Sequence, residues 1–189
     1  MRTETLDDLI GKLRSRFGQD VLASSATVVG GPEVVARQLE RLAALRPTAV
    51  VEIGTRHGVM AAVLAHFAKL VITLDIEASP LVRDVLACAG VRNVVPVLLG
   101  GNEVKGLLLD RLRFDLAFID GDHRYEGVAF DFAHTRHCGR VLFHDYGDLR
   151  YEGVTRFVDS LEDGVIEFDP PFAWWQADGL SPSQQSEGA

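Results

Sequence analysis

Cysteine is scarce in this chain: Cys88 and Cys138 are the only two in 189 residues. Two thiols are too few for a disulfide scaffold or a zinc cluster, so both read as buried thiols of a cytoplasmic protein. Basic charge is scarce as well. Nineteen Lys and Arg stand against 27 Asp and Glu, a net charge of −8. That balance gives no support to a nucleic-acid groove, because a phosphate backbone demands a basic face. No apolar run reaches transmembrane length, and Met1-Arg2-Thr3-Glu4 leads into a charged amphipathic stretch rather than a signal core. Neither nucleic acid nor a membrane is an expected partner. What is present suits one globular domain: 47% of residues are hydrophobic and 24% charged, at a length that allows a substantial core.

The apolar runs set a rhythm. Leu6, Ile10, Leu13 and Phe17 recur at helical spacing over residues 5–17. Gly30-Gly31-Pro32 then punctuates the chain, with Pro32 suited to the first turn of a helix over residues 33–45. From there short apolar runs predict strands at 48–53, 70–75, 93–99, 114–120 and 139–144. Helices are expected at 58–68, 80–89, 103–111, 124–136 and 151–162. This alternation is the signature of a parallel sheet covered on both faces. Residues 165–168 and 172–176, flanking Pro170-Pro171, break the rhythm and read as a closing antiparallel pair. The Ser/Gln/Gly-rich tail at 180–189 is expected to be disordered.

The most informative segment is Val50-Val51-Glu52-Ile53-Gly54-Thr55-Arg56-His57-Gly58. A strand, a glycine-bounded turn and a helix start follow one another, an order that presents backbone N–H groups to a ligand. The next apolar run ends in Asp75. An acid at the tip of the second strand, about 20 residues beyond the loop, is placed to bond a ribose diol. Together they point to an adenosine-type cofactor. A dinucleotide is disfavoured, because bulky Arg56 stands where the second glycine of G-x-G-x-x-G belongs, and with it a nicotinamide-dependent oxidoreductase. Glu52 would repel a pyrophosphate but suits an ammonium group.

E-x-G-x-x-x-G followed by Asp75 resembles motif I of the class I S-adenosylmethionine-dependent methyltransferases. The resemblance implies a Rossmann-like α/β three-layer sandwich, a mostly parallel seven-stranded sheet with one antiparallel strand near the C-terminus. The domain would span residues 31–179, with residues 1–30 as a helical extension or lid. It implies S-adenosylmethionine as cofactor, held by Glu52, Gly54, Thr55, Arg56, Gly58, Asp75, Ile76, Asn102 and Asp120. Asn102 or Glu103 would lie near the adenine; Gly100-Gly101 equally reads as a flexible turn.

A second constellation narrows the resemblance. Ile119-Asp120-Gly121-Asp122-His123-Arg124-Tyr125-Glu126-Gly127-Val128 and the later Phe143-His144-Asp145 are similar to small bacterial methyltransferases related to metal-dependent catechol-type O-methyltransferases. By position Asp120 and Asp145 match metal ligands of that group, and Tyr146 stands where a third ligand would be. Phenol is a poor substitute, so Asp122, His123 or His144 would have to complete the shell. Oxygen ligands favour Mg²⁺, whereas a histidine shifts preference towards Mn²⁺, Fe²⁺ or Zn²⁺. Asp120, His123 and Asp145 are the catalytic candidates. His123 is either a general base, with an ordinary pKa of about 6.5, or a brace for Asp120.

The stretches 121–128 and 147–154 agree at every position but His123/Leu149. Both follow a strand ending in aspartate and open a helix, and Asp148, Glu126 and Glu152 read as helix-start acids. His57, His66, His134 and His137 are expected on helix faces without chemistry, and Trp174 and Trp175 on an edge strand. The expected function is methyl transfer to an oxygen of a small acceptor. The competing reading is a non-catalytic module that keeps the fold and the cofactor site. No large inserted cap is available, so residues 1–30, or a second subunit in a homo-oligomer, would have to close over the acceptor.

Overall fold

Seven short strands make a single sheet in this computed structural model, which describes residues 6–23 and 32–180. The strands are β1 Ala49–Ile53, β2 Leu70–Asp75, β3 Val94–Leu98, β4 Leu116–Ile119, β5 Arg140–Phe143, β6 Val165–Asp169 and β7 Phe172–Gln176. The helices are α1 Leu6–Phe17, α2 Gln19–Ala23, α3 Pro32–Leu45, α4 Val59–Leu64, α5 Val82–Ala89, α6 Asn102–Leu109, α7 Tyr125–Thr135 and α8 Glu152–Asp159.

The sheet order is β3-β2-β1-β4-β5-β7-β6. β1, β4 and β5 are apolar on both faces apart from Glu52 and Arg140, as strands between two helical layers must be. One core packs α1 to α5 against Val50, Phe118, Leu142 and Trp174; the other packs α6 to α8 against Val51, Ile53, Phe143 and Trp175. β7 runs antiparallel to both neighbours and is the one reversed strand. The chain winds outward from β1 to β3, then returns to place β4 on the other side of β1. That reversal opens a crevice at the carboxyl ends of β1 and β4.

Three expectations change. The helix expected over 58–68 is shorter, α4 followed by turns through Ala68, and all six of its residues are buried. β7 is not an edge strand, because β6 pairs outside it; Trp174 and Trp175 therefore point into opposite cores, donating to Gln38 Oε1 (2.5 Å) and the Asp163 carbonyl (2.7 Å). Cys88 and Cys138 are half-buried rather than buried.

The N-terminal helices are built into the body, with Leu9, Leu13 and Leu22 fully buried. The expectations for residues 1–5, 24–31 and 181–189 lie outside the described residues. No helix among the described residues is long and apolar enough to cross a membrane.

Candidate active site

The crevice is a cavity of about 1100 Å³ lined from the ends of β1, β2, β4 and β5. Its first wall is the loop Gly54–Gly58. Gly54 (φ 102°) donates its N–H to the Leu74 carbonyl at 2.8 Å, and Gly58 (φ 81°) donates to Thr55 O at 2.7 Å, closing the turn before α4. Both glycines occupy the left-handed region that side chains resist. Arg56 sits there too, at φ 45°.

Asp75 fixes the loop from the neighbouring strand. One carboxylate oxygen accepts from the Arg56 N–H (2.8 Å), the other from the Glu77 N–H (3.0 Å). Asp75 faces the cavity beside Ile76, whose side chain is 61% exposed, and Asn102 stands across from them at the start of α6. Thr55, Arg56, Asp75, Ile76, Asn102 and Asp120 thus share one cavity, with Gly54 beside them.

Glu52 does not line that cavity. It is fully buried on the α4 side of the sheet, opposite Thr73 in the β1–β2 register, and accepts from the Thr73 hydroxyl at 2.5 Å. Thr73 in turn bonds Thr55 Oγ1 at 2.6 Å. Burial pushes the Glu52 carboxyl up to about 8, against the opposing Thr73 bond and with help from Asp120 and Asp75. A carboxyl neutral at pH 7 does not attract an ammonium by charge. Its place here is beneath the loop, supporting Thr55 through Thr73.

The second wall is a cluster of two acids and two imidazoles. Asp120 Oδ1 lies 3.3 Å from His123 Nε2 and 3.1 Å from His144 Nδ1. Asp145, at a left-handed φ of 62°, faces the same rings at 2.9 Å and 3.1 Å. Burial alone would lower both histidines, but the two carboxylates outweigh it and hold each up to about 9. Burial alone would raise Asp120 and Asp145; the histidines pull both below the usual carboxylate range. The two carboxylates favour the protonated His123 ring at neutral pH, and the ring lies within hydrogen-bonding distance of Asp120.

Asp120, Asp145 and His144 offer ligand atoms within 4.8 Å of one another. The 3.1 Å separations match adjacent donors around one divalent ion at roughly 2.1 Å bond length, so the set fits a cation of the Mn²⁺ or Mg²⁺ kind. Tyr146 takes no part: its hydroxyl donates to Asp159 (2.9 Å) and its ring stacks on Phe168.

Several residues escaped the sequence reading. Lys105 is nearly buried at the cavity wall, 2.5 Å from the fully buried Asp131 of α7. A lysine on the inward face of α6 was the available signal, but that face is known only once α7 packs on it. Tyr151 stacks on His123 with centroids 4.2 Å apart, and His57, expected to be inert, lines the cavity 3.1 Å from Ser79 Oγ. His66, His134 and His137 stay outside the cavity.

A family model described as a methyltransferase domain matches residues 51–146, just over half of the chain and the span that carries both walls. The chain belongs to this family of class I S-adenosylmethionine-dependent methyltransferases. Among solved structures, this methyltransferase-family chain is similar to an O-methyltransferase from Bacillus cereus in complex with SAH, at 18% identity, 89% and 90% coverage of the two chains and a TM-score of 0.60. It is also similar to the O-methyltransferase TomG from Streptomyces achromogenes, involved in tomaymycin synthesis and solved with SAM, at 20% identity, 94% and 91% coverage and a TM-score of 0.60. An rRNA methylase from Streptococcus thermophilus matches at 17% identity, 75% and 95% coverage and a TM-score of 0.58. At these identities the likeness is one of fold. No curated protein matches the chain.

Proposed function

We propose that this chain transfers a methyl group from S-adenosylmethionine to an oxygen of a small acceptor. The observation that carries the reading is Asp120: it lines the cavity beside the glycine loop and also anchors the acid–imidazole cluster. Cofactor and acceptor would therefore meet at one strand end. Gly54, Thr55 and Arg56 form the cofactor wall, Gly58 stays off the cavity lining and closes the turn behind them, Asp75 takes the ribose diol, and Ile76 and Asn102 flank the adenine. Glu52 acts from behind the loop.

Methyl transfer forms the C–O bond as the C–S bond breaks, while the acceptor hydroxyl loses its proton. Much of the rate comes from alignment of the two reactants. His123, held between two carboxylates and stacked on Tyr151, would in its neutral form accept the hydroxyl proton, and the imidazolium so formed would stabilise the oxyanion as it attacks the methyl group. A divalent ion held by Asp120, Asp145 and His144 would supply Lewis-acid charge at the same oxygen. Its binding requires a neutral His144 ring, so metal and proton compete there.

The test is methyl transfer from isotopically labelled S-adenosylmethionine to a panel of catechols, phenols, sugar alcohols and hydroxylated carboxylic acids, with Mg²⁺, with Mn²⁺ and after chelation. Labelled ether product, lost in His123→Asn, is expected. Transfer only to nitrogen, or cofactor binding without transfer to any hydroxyl, would contradict the proposal.

A further inference from the structure

The two turns that repeat in sequence also meet in space. Gly153 of the second copy packs on the first: a β-carbon there would stand 2.4 Å from the His123 carbonyl oxygen and 2.6 Å from the Tyr125 nitrogen. Each copy holds its arginine in the same way. Asp122 accepts the Arg124 N–H at 3.0 Å and grips Nε and Nη2 of that side chain, the latter at 2.6 Å. Asp148 does the same for Arg150, at 2.9 Å and 2.6 Å. These bonds use Nε and Nη2 and leave each Nη1 to other partners. The copies part at one position: His123 turns into the acid cluster, whereas Leu149 is 85% exposed.

Between the turns runs a groove of about 450 Å³, bordered by His123, Arg124, Arg150, Tyr151, Glu152 and Gly153, with Asp122 also in its lining. The first four also line the main cavity, so the groove opens into it at His123. Two guanidinium groups, each held by its own aspartate, therefore flank the approach to the catalytic cluster. Asp122 and Asp148 offset the charge of the two arginines, and Glu152 leaves the surroundings of the groove net negative. What remains is the Nη1 group of each guanidinium, a charge-assisted donor for one carboxylate oxygen. Holding the arginines in advance lowers the ordering cost of binding.

We propose that this groove seats a carboxylate of the acceptor between Arg124 and Arg150, with the reacting hydroxyl directed towards His123. The acceptor class is then a hydroxylated carboxylic acid rather than a neutral phenol or polyol. The inference rests on the methyl-transfer reading for what enters the cavity.

The test is calorimetric, on protein saturated with S-adenosylhomocysteine, using 3,4-dihydroxybenzoate and its neutral amide. The wild-type protein is expected to bind the acid about ten-fold more tightly than the amide, the scale of one or two charge-assisted hydrogen bonds. Arg124→Gln/Arg150→Gln should erase that preference while leaving S-adenosylhomocysteine affinity unchanged, which also shows that the variant is folded. Equal affinity for acid and amide, binding of neither, or a preference that survives loss of both arginines would overturn the proposal. If S-adenosylhomocysteine gives no heat, the methyl-transfer reading fails instead, and the same pair titrated into the cofactor-free protein still reads the groove.

Discussion

A β-carbon on Gly54 would stand 2.1 Å from the carbonyl oxygen of Asp120. The glycine loop of β1 and the end of β4 are thus in backbone contact at the point where strand order reverses. The contact places the cofactor loop directly against the residue that anchors the acid–imidazole cluster.

Gly54→Ala should therefore damage the fold as well as binding. The clash is with backbone, and φ is 102°, so neither partner yields cheaply. A loss of about 3 kcal/mol or more is expected, read as a fall in Tm. An unchanged Tm would show that the loop does not lie on Asp120.

Glu52 makes stability depend on pH. Its folded pKa of about 8 lies above the ordinary 4.5, so the unfolded chain ionises first and stability drains away as pH rises from 4.5 to 8. Glu52→Gln keeps a partner for Thr73 without an ionisable group. It should raise Tm at pH 8.5 relative to wild type, by an amount on the order of a few kcal/mol in stability, and change little at pH 4.5. A variant that is equally or less stable at pH 8.5 would contradict a neutral buried Glu52.

Lys105 and Asp131 form a buried ion pair 2.5 Å apart. Removing one partner strands a charge, so Lys105→Met should cost about 3–5 kcal/mol in chemical denaturation. Adding Asp131→Leu should recover most of that loss. Additive losses in the double variant would show that the two groups do not depend on each other.

The cluster of Asp120, Asp145 and His144 should take up Mn²⁺. Saturating metal is expected to raise Tm by a few degrees through binding to the folded state alone, and Asp145→Asn should abolish the rise. An identical response in wild type and variant would place the ion elsewhere.

The elements were legible because each strand is a short apolar run closed by a polar residue, as at Ile53-Gly54 and Leu74-Asp75. Asp75 and Asp120 were legible for the same reason, since a strand end fixes where a residue points. Glu52 was not: whether it faces a ligand or lies under the loop depends on its register with Thr73, 21 residues away. The inner position of β7 was equally hidden, because nothing in 165–176 says which of two antiparallel strands pairs with β5. The raised pKa of His123 comes from Asp120, three residues away, and also from Asp145, which sequence spacing does not bring to it. Lys105 became visible only through Asp131 on the next helix.

The most direct measurement is a calorimetric titration of S-adenosylhomocysteine into the wild-type protein and into Asp75→Ala. Asp75 holds the Arg56 N–H and faces the cavity, so its loss should weaken binding by about 100-fold, the scale of two hydrogen bonds to a charged group. Saturable binding in wild type that collapses in Asp75→Ala is the result this account predicts. No heat in the wild-type protein, or equal affinity in both, would contradict it.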